Sequence, residues 1–171
     1  MKRLYLVRHA KSSWKQSGLS DRDRPLNKRG KRDAPFMGQR LKKYAACPDL
    51  MLSSPAKRAL KTAKIIAQEI NSPKKSIVIN EAFYSRGTHA ILDVIRSVDD
   101  AHESLMIFGH NPDVTELAEL LTDYQVNNIP TCGIFCIDFN VNFWQEVDVG
   151  KGIVAFFDYP KKHQKPEGTN A

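Results

Sequence analysis

The chain has 171 residues, 42% of them hydrophobic and 26% charged, which is the balance of one globular domain with a full core. No apolar run reaches the ~20 residues that span a bilayer, and residues 4–7 are too short for the apolar region of a signal peptide, so we expect a cytoplasmic protein. Basic residues outnumber acidic ones by 26 to 19, which favours an anionic substrate or partner, but no groove-reading module points to nucleic acid.

The first predicted elements are a strand, a loop and a helix. Residues 3–7 form an apolar run typical of a short buried strand, and residues 11–25 are polar and predict a loop. Asn27 can cap a helix at residues 28–45 by accepting a hydrogen bond from its first turn. Pro35 lies inside that helix and should kink it or split off its first turn.

Three further pairs of a strand and a helix follow. The strands are predicted at residues 49–53, 76–79 and 104–108. Pro55 suits the first turn of one of the helices, Thr88 can cap the next, and Val114 begins the apolar stripe of the last. Alternating strands and helices predict an α/β fold, a three-layer α/β/α sandwich with a central, mostly parallel sheet.

The last part of the chain has a different pattern, in which strands predominate. They are predicted at residues 134–139, 143–149 and 153–158. We expect residues 1–160 to form a single domain and residues 161–171 to be a frayed polar tail.

The three cysteines, Cys47, Cys132 and Cys136, are odd in number and show no disulfide or zinc spacing. They predict reduced thiols. No His or Cys pair is completed to the roughly four ligands of a zinc site, so we expect no bound metal.

Two histidines stand directly after predicted strands. His9 follows the first strand with Arg8 beside it, and His110 follows Gly109 at the end of the strand at 104–108. The carboxyl ends of parallel strands share one edge, where ligands bind, so both histidines could face one crevice. A guanidinium matches phosphate oxygens, and a glycine lets a ligand approach the backbone. Taken alone, Arg8 and His9 also fit a surface arginine and a hydrogen-bonded histidine, and His110 also fits a capping or core histidine.

Arg58 lies in the first turn of the helix after the second predicted strand. A helix N-terminus favours anions, and an arginine there adds a full positive charge. The position also fits a solvated helix face shared with Lys57, Lys61 and Lys64.

Three motifs occur together and in order: Leu-Val-Arg-His at residues 6–9, Ser-Ser-Pro-x-x-Arg-Ala-x-x-Thr-Ala at 53–63, and Gly-His at 109–110. Together they resemble the histidine phosphatase superfamily, which includes the cofactor-dependent phosphoglycerate mutases, over residues 3–125. The short chain and the stretch Asp-Arg-Pro-Leu-Asn-Lys-Arg-Gly at 23–30 are similar to the SixA-type phosphohistidine phosphatases of that superfamily.

The resemblance implies roles for particular residues. His9 would be the nucleophile and become a phosphohistidine, and Arg8, Arg58 and His110 would grip the phosphoryl oxygens without a metal or cofactor. Glu81 would be the general acid, with a solvated carboxylate at a strand end as the alternative. The implied substrate is phosphohistidine on a protein. A small phosphate ester is the alternative substrate, and a phosphate-binding module without turnover is the alternative function.

The loop after the nucleophile departs from the family pattern. Ala10 replaces the usual glycine, Lys11 stands at an acidic position, and Lys15 stands where many mutases have asparagine. These changes argue against mutase activity and add positive charge to the rim of the crevice. Ser12 and Ser13 could hydrogen-bond phosphate, and His89 could border the crevice.

Overall fold

One mixed sheet runs through the part of the chain that the computed structural model describes, residues 1–73 and 76–164. Its strands are β1 (Lys2–Arg8), β2 (Leu50–Ser53), β3 (Ile77–Ile79), β4 (Ser104–Gly109), β5 (Ile134–Phe139) and β6 (Ile153–Asp158). The α-helices of the described residues are α1 (Lys28–Lys43), α2 (Lys57–Glu69), α3 (Thr88–Arg96) and α4 (Asp113–Leu121).

The strand order is β3-β2-β4-β1-β5-β6. Strands β1 to β4 pair in parallel, and β5 pairs antiparallel with both β1 and β6. The prediction of a three-layer sandwich around a mostly parallel sheet is therefore confirmed. Because β1 and β4 are neighbours, Arg8 and Gly109 lie side by side at the carboxyl edge of the sheet.

The two faces of the sheet carry separate apolar clusters. Leu4 and Leu6 of β1 pack in the cluster with α3 and α4, and Tyr5 and Val7 pack in the cluster with α1 and α2. Successive side chains of a strand point to opposite faces, so β1 contributes to both cores. Burial on both faces explains why its sequence is a continuous apolar run.

The strand predicted at residues 143–149 is wrong. Trp144–Glu146 instead form a short 3-10 helix, and the Glu146 carboxylate accepts hydrogen bonds from the backbone N–H groups of Asn142 and Phe143. Trp144 is fully buried, and its indole N–H donates to the carbonyl of His102. Trp144 and Val147 therefore fill the core from a capped loop, whereas Phe143 and Val149 are exposed.

Helix α1 begins as predicted, because the Asn27 side chain accepts a hydrogen bond from the backbone N–H of Gly30 at 2.8 Å. Pro35 does not divide the helix, which continues on both sides of it. A Cβ on Gly30 would lie 2.2 Å from the carbonyl oxygen of Lys11. Glycine at this position therefore lets the loop after β1 pack directly on α1.

Two other predicted helix starts move by one or two residues. Pro55 lies just before the N-cap of α2, which is Ala56. Thr88 is the first residue of α3, and Gly87, with a φ of 87°, occupies the N-cap. Both helices nevertheless follow their strands as the sequence predicts.

The three cysteines, for which the sequence predicts reduced thiols, are free; Cys47 is exposed, and Cys132 and Cys136 are buried. Pro160–His163 form a 3-10 helix within the segment where the tail was expected to begin, and residues 165–171 lie outside the described residues. Among the helices that the structure describes, none is long and apolar enough to cross a membrane.

Candidate active site

Four side chains line one cavity of about 240 Å³ at the carboxyl edge of the sheet. Arg8 ends β1, His9 follows it, Arg58 lies in the first turn of α2, and His110 follows β4. We call these four residues the cavity floor. The sequence motifs had predicted all four, and the structure brings them together, with the rings of His9 and His110 5.0 Å apart.

The backbone fixes the position of His9. Its N–H donates to the carbonyl of Gly109 at 3.1 Å, and its own carbonyl accepts from the N–H of Cys132 at 3.0 Å. The ring Nδ1 lies 2.7 Å from the carbonyl oxygen of Ala10. Because a carbonyl oxygen can only accept, we assign the ring proton to Nδ1, which leaves the lone pair on Nε2.

Burial lowers the pKa of His9 to about 3, and the charges of Arg58 and Arg8 act in the same direction. The imidazole is therefore neutral near pH 7. A neutral imidazole with a free Nε2 can act as a nucleophile.

His110 is held from the side of α2, with its Nε2 2.8 Å from the hydroxyl oxygen of Ser54. Burial, followed by the charge of Arg58, lowers its pKa to about 4. Its Nδ1 and the Nε of Arg8 are buried and have no hydrogen-bond partner among the described residues. Buried polar atoms cost free energy when unpaired, and an anion in the cavity could pair with such nitrogens.

Arg58 is oriented by two contacts with Asp21. Its Nη1 donates to the Asp21 carbonyl at 2.6 Å, and its Nη2 donates to the Asp21 carboxylate at 2.9 Å. The hydroxyl of Thr62 donates to the Arg58 carbonyl and accepts from the N–H of Ala10. The first turn of α2 is thus tied to the residue after the nucleophile candidate.

A second set of lining residues comes from the loop between β1 and α1. These residues, which we call the cavity rim, are Lys11, Ser12, Trp14 and Arg24. The Arg24 Nη2 donates to the Ser12 hydroxyl at 2.6 Å, and the guanidinium lies 3.2 Å from the centre of the Trp14 ring. The rim adds positive charge to the cavity, and Arg24 was not predicted as a site residue.

The Asp21 carboxylate lies between the floor and the rim. It accepts hydrogen bonds from Tyr84 at 2.6 Å, Arg58 at 2.9 Å and Arg24 at 3.1 Å. These donors, the tyrosine hydroxyl first, hold the pKa of Asp21 well below its usual range, so the group stays charged. Nothing in the polar loop sequence indicated this contact.

Glu81, the predicted general acid, does not line the cavity. Its side chain is half exposed, and its carboxylate pairs with Arg22 at 2.8 Å. His89 is exposed and is also absent from the lining. No aspartate or glutamate is among the described residues that line this cavity; Asp21 contacts the lining residues Arg58 and Arg24 and is not itself in the lining.

Gly109 has a different role from the predicted one. A Cβ at this position would lie 3.1 Å from Cγ1 of Val114 in α4, and the residue does not line the cavity. Glycine here lets β4 and α4 approach each other. Among the described residues, no group of three or more His, Cys, Asp or Glu side chains is placed to hold a metal ion.

Comparison with known proteins places these motifs in a family context. Residues 4–86 match the model of the histidine phosphatase superfamily, branch 1. An uncharacterized protein of Mycobacterium tuberculosis is 30% identical over 165 residues, which are 91% of this chain and 100% of that protein.

Two solved structures extend the comparison to the fold. A candidate phosphohistidine phosphatase SixA from Agrobacterium tumefaciens is 26% identical, with a TM-score of 0.79 and coverage of 93% of this chain and 98% of that chain. The protein histidine phosphatase SixA in complex with tungstate is 19% identical, with a TM-score of 0.81 over 95% of this chain and 99% of that one, and it supports the fold alone.

Proposed function

Since this chain belongs to the histidine phosphatase superfamily and has the SixA-type fold, it is a phosphatase, and we propose that its substrate is phosphohistidine on a protein. His9 takes up the phosphoryl group, and water releases it as inorganic phosphate. One observation carries the choice of substrate: the described lining of the cavity contains no carboxyl group.

The leaving group decides how much acid catalysis the reaction requires. A phosphate ester releases an alkoxide, which needs a proton, and general acids contribute about 10²- to 10⁴-fold to such steps. Imidazole is a better leaving group and needs less help. Asp21 is held in its charged form and Glu81 is paired with Arg22, so neither supplies that proton readily. The cavity therefore suits a phosphorus–nitrogen bond better than an ester.

The reaction proceeds in two displacements at phosphorus. In the first, Nε2 of His9 forms a bond to phosphorus while the bond to the substrate histidine breaks, and the electron pair leaves with the substrate imidazole. In the second, a water oxygen attacks phosphorus and the bond to His9 breaks. One water molecule is consumed, its oxygen goes to phosphate, and one of its protons ends on the substrate histidine.

The floor residues stabilise the charge that builds up around phosphorus. Arg8 and Arg58 carry full positive charges, and His110 offers a ring nitrogen from the end of the neighbouring strand β4. Preorganised donors of this kind are usually the largest contribution to catalysis. The proposal therefore needs no metal ion or cofactor.

The substrate choice is tested by comparing a histidine-phosphorylated protein with an alkyl phosphate, glycerol 3-phosphate, in the wild type and in Glu81→Gln. We expect a higher kcat/KM for the phosphohistidine protein, and a change of less than about threefold in the variant, because imidazole leaves without strong acid catalysis. His89→Gln is the matched control on the exposed surface. If glycerol 3-phosphate is the better substrate and Glu81→Gln loses about 100-fold or more of that activity, the substrate is a phosphate ester and not phosphohistidine.

Turnover itself is tested by trapping the intermediate. Radiolabelled phosphate should be found on the wild type in acid-free gels and should be absent from His9→Asn. If the wild type binds the phosphoprotein and no label is transferred, the domain is a phosphate-binding module. Equal labelling of the variant would place the nucleophile elsewhere.

A further inference from the structure

A second cavity, of about 350 Å³, lies beside the first on the side of α1 and α2. Its apolar lining comes from Pro25, Leu26 and Leu60. The rest of its lining consists of four exposed lysines, Lys31, Lys57, Lys61 and Lys64. We call this surface the lysine groove. It has no part in the chemistry described above.

The positive charge of the lysine groove is uncompensated. Its described lining contains no acidic residue, and none of the ion pairs found within residues 1–73 and 76–164 involves its lysines. Lys57, Lys61 and Lys64 are spaced by four and three residues along α2 and therefore share one face. Like charges at this spacing destabilise a helix, and an anionic partner would remove that repulsion.

Neighbouring residues of the chain line the lysine groove and the first cavity at two places. Arg24 lines the first cavity, and the next residue, Pro25, lines the groove. Arg58 lines the first cavity, and the residue before it, Lys57, lines the groove. Because consecutive residues of a chain lie about 3.8 Å apart, a polypeptide bound in the first cavity is within reach of the second.

We propose that the lysine groove docks an acidic segment of the phosphorylated protein substrate, with its carboxylates facing the lysines and its apolar side chains on Pro25, Leu26 and Leu60. The inference rests on the proposed function, because it gives the same substrate a second contact. The apolar lining favours a polypeptide over a nucleic acid. The described lining offers no aromatic ring on which bases could stack.

Binding is measured by fluorescence anisotropy with a labelled synthetic peptide of glutamate pairs separated by leucines. In Lys61→Gln/Lys64→Gln we expect the Kd to rise roughly tenfold, because each exposed ion pair contributes up to about fivefold to affinity. The control, Lys42→Gln/Lys43→Gln, removes two exposed lysines at the other end of α1, about 17 Å along the helix from Lys31, and should leave the Kd unchanged. The wild-type Kd should also rise with salt.

Turnover is measured with the same peptide carrying a phosphohistidine and with phenyl phosphate. Lys61→Gln/Lys64→Gln should raise KM for the peptide, leave its kcat unchanged and leave phenyl phosphate hydrolysis unchanged. An unchanged peptide Kd, an equal loss with phenyl phosphate, or tighter lysine-dependent binding of an oligonucleotide of equal charge would each overturn the inference. If the wild type binds the peptide through these lysines and does not hydrolyse its phosphohistidine, the groove is supported and the proposed function fails.

Discussion

The cavity floor and the cavity rim border the same space and are held in place by different forces. Arg8, His9 and His110 stand at the ends of β1 and β4, which are paired strands in the centre of the sheet. The rim residues belong to a loop and are held by hydrogen bonds and stacking among their own side chains, as between Arg24 and Ser12. We therefore expect changes in the floor to abolish chemistry and changes around the rim to adjust anion affinity.

The largest effect is expected at the nucleophile candidate. His9→Asn should lower kcat by roughly 10⁴-fold or more, because the covalent step is lost and only binding by the other floor residues remains. Steady-state hydrolysis of phenyl phosphate and of a histidine-phosphorylated protein measures it, with the exposed His89→Asn as control. If His9→Asn retains more than a tenth of wild-type activity, His9 is not the nucleophile and the cavity floor is not the catalytic site.

Arg58→Lys is expected to have the next largest effect. The charge is kept, but an ammonium cannot contact Asp21 and a phosphoryl oxygen through one planar fork, so kcat/KM should fall about 10²-fold. Circular dichroism should show an unchanged fold. An effect smaller than about threefold would mean that charge alone matters at this position, and the distinction between floor and rim would weaken.

The floor should also make stability depend on pH. Burial lowers the pKa of His9 to about 3 and that of His110 to about 4, whereas unfolded histidines titrate near pH 6.5. Between these values the unfolded chain binds more protons, so stability falls as the pH decreases. We expect the free energy of unfolding to drop by about 2 kcal/mol per histidine from about pH 7.5 to about pH 5. Urea unfolding of the wild type and of His9→Asn measures this difference, and equal pH slopes would contradict it.

The smallest effect is expected from the carboxylate between the two regions. Asp21→Asn removes the negative charge next to Arg58 and Arg24. Phosphate should therefore bind more tightly, with an inhibition constant lower by roughly fivefold, which corresponds to about 1 kcal/mol of binding free energy. Asp23→Asn is the matched control, because that exposed carboxylate accepts from the Ser20 hydroxyl. Weaker phosphate binding in Asp21→Asn would show that the carboxylate chiefly positions Arg58.

The sequence predicts the floor well because each of its residues is fixed by a regular element. One apolar run identifies β1 and a second identifies β4. Because the two strands are parallel, His9 and His110 lie at the same edge of the sheet. The same regularity predicted the layers of the sandwich. Local patterns sufficed here because burial on both faces of the sheet leaves a strong apolar signal.

Local sequence patterns did not predict the contacts of the rim, the pairing of Glu81 with Arg22 or the 3-10 helix at Trp144–Glu146. The polar loop has no periodicity, so its sequence does not show that Arg24 reaches Ser12 or that Asp21 reaches Arg58. No local motif links Glu81 to Arg22, because the two residues are 59 positions apart in the chain. The stretch at 143–149 carries strand-like alternation, but tertiary contacts of its residues select a 3-10 helix.

The close approach between Gly30 and the Lys11 carbonyl has an evolutionary consequence. Together with the hydrogen bonds from Asn27 to Lys11 and from Ser13 to Pro25, it fastens the loop where it leaves β1 and where it enters α1. The residues in between can change in length and composition without moving either element. Related proteins with this fold could thus differ in the loop between β1 and α1, and therefore in substrate, while they keep the same reaction.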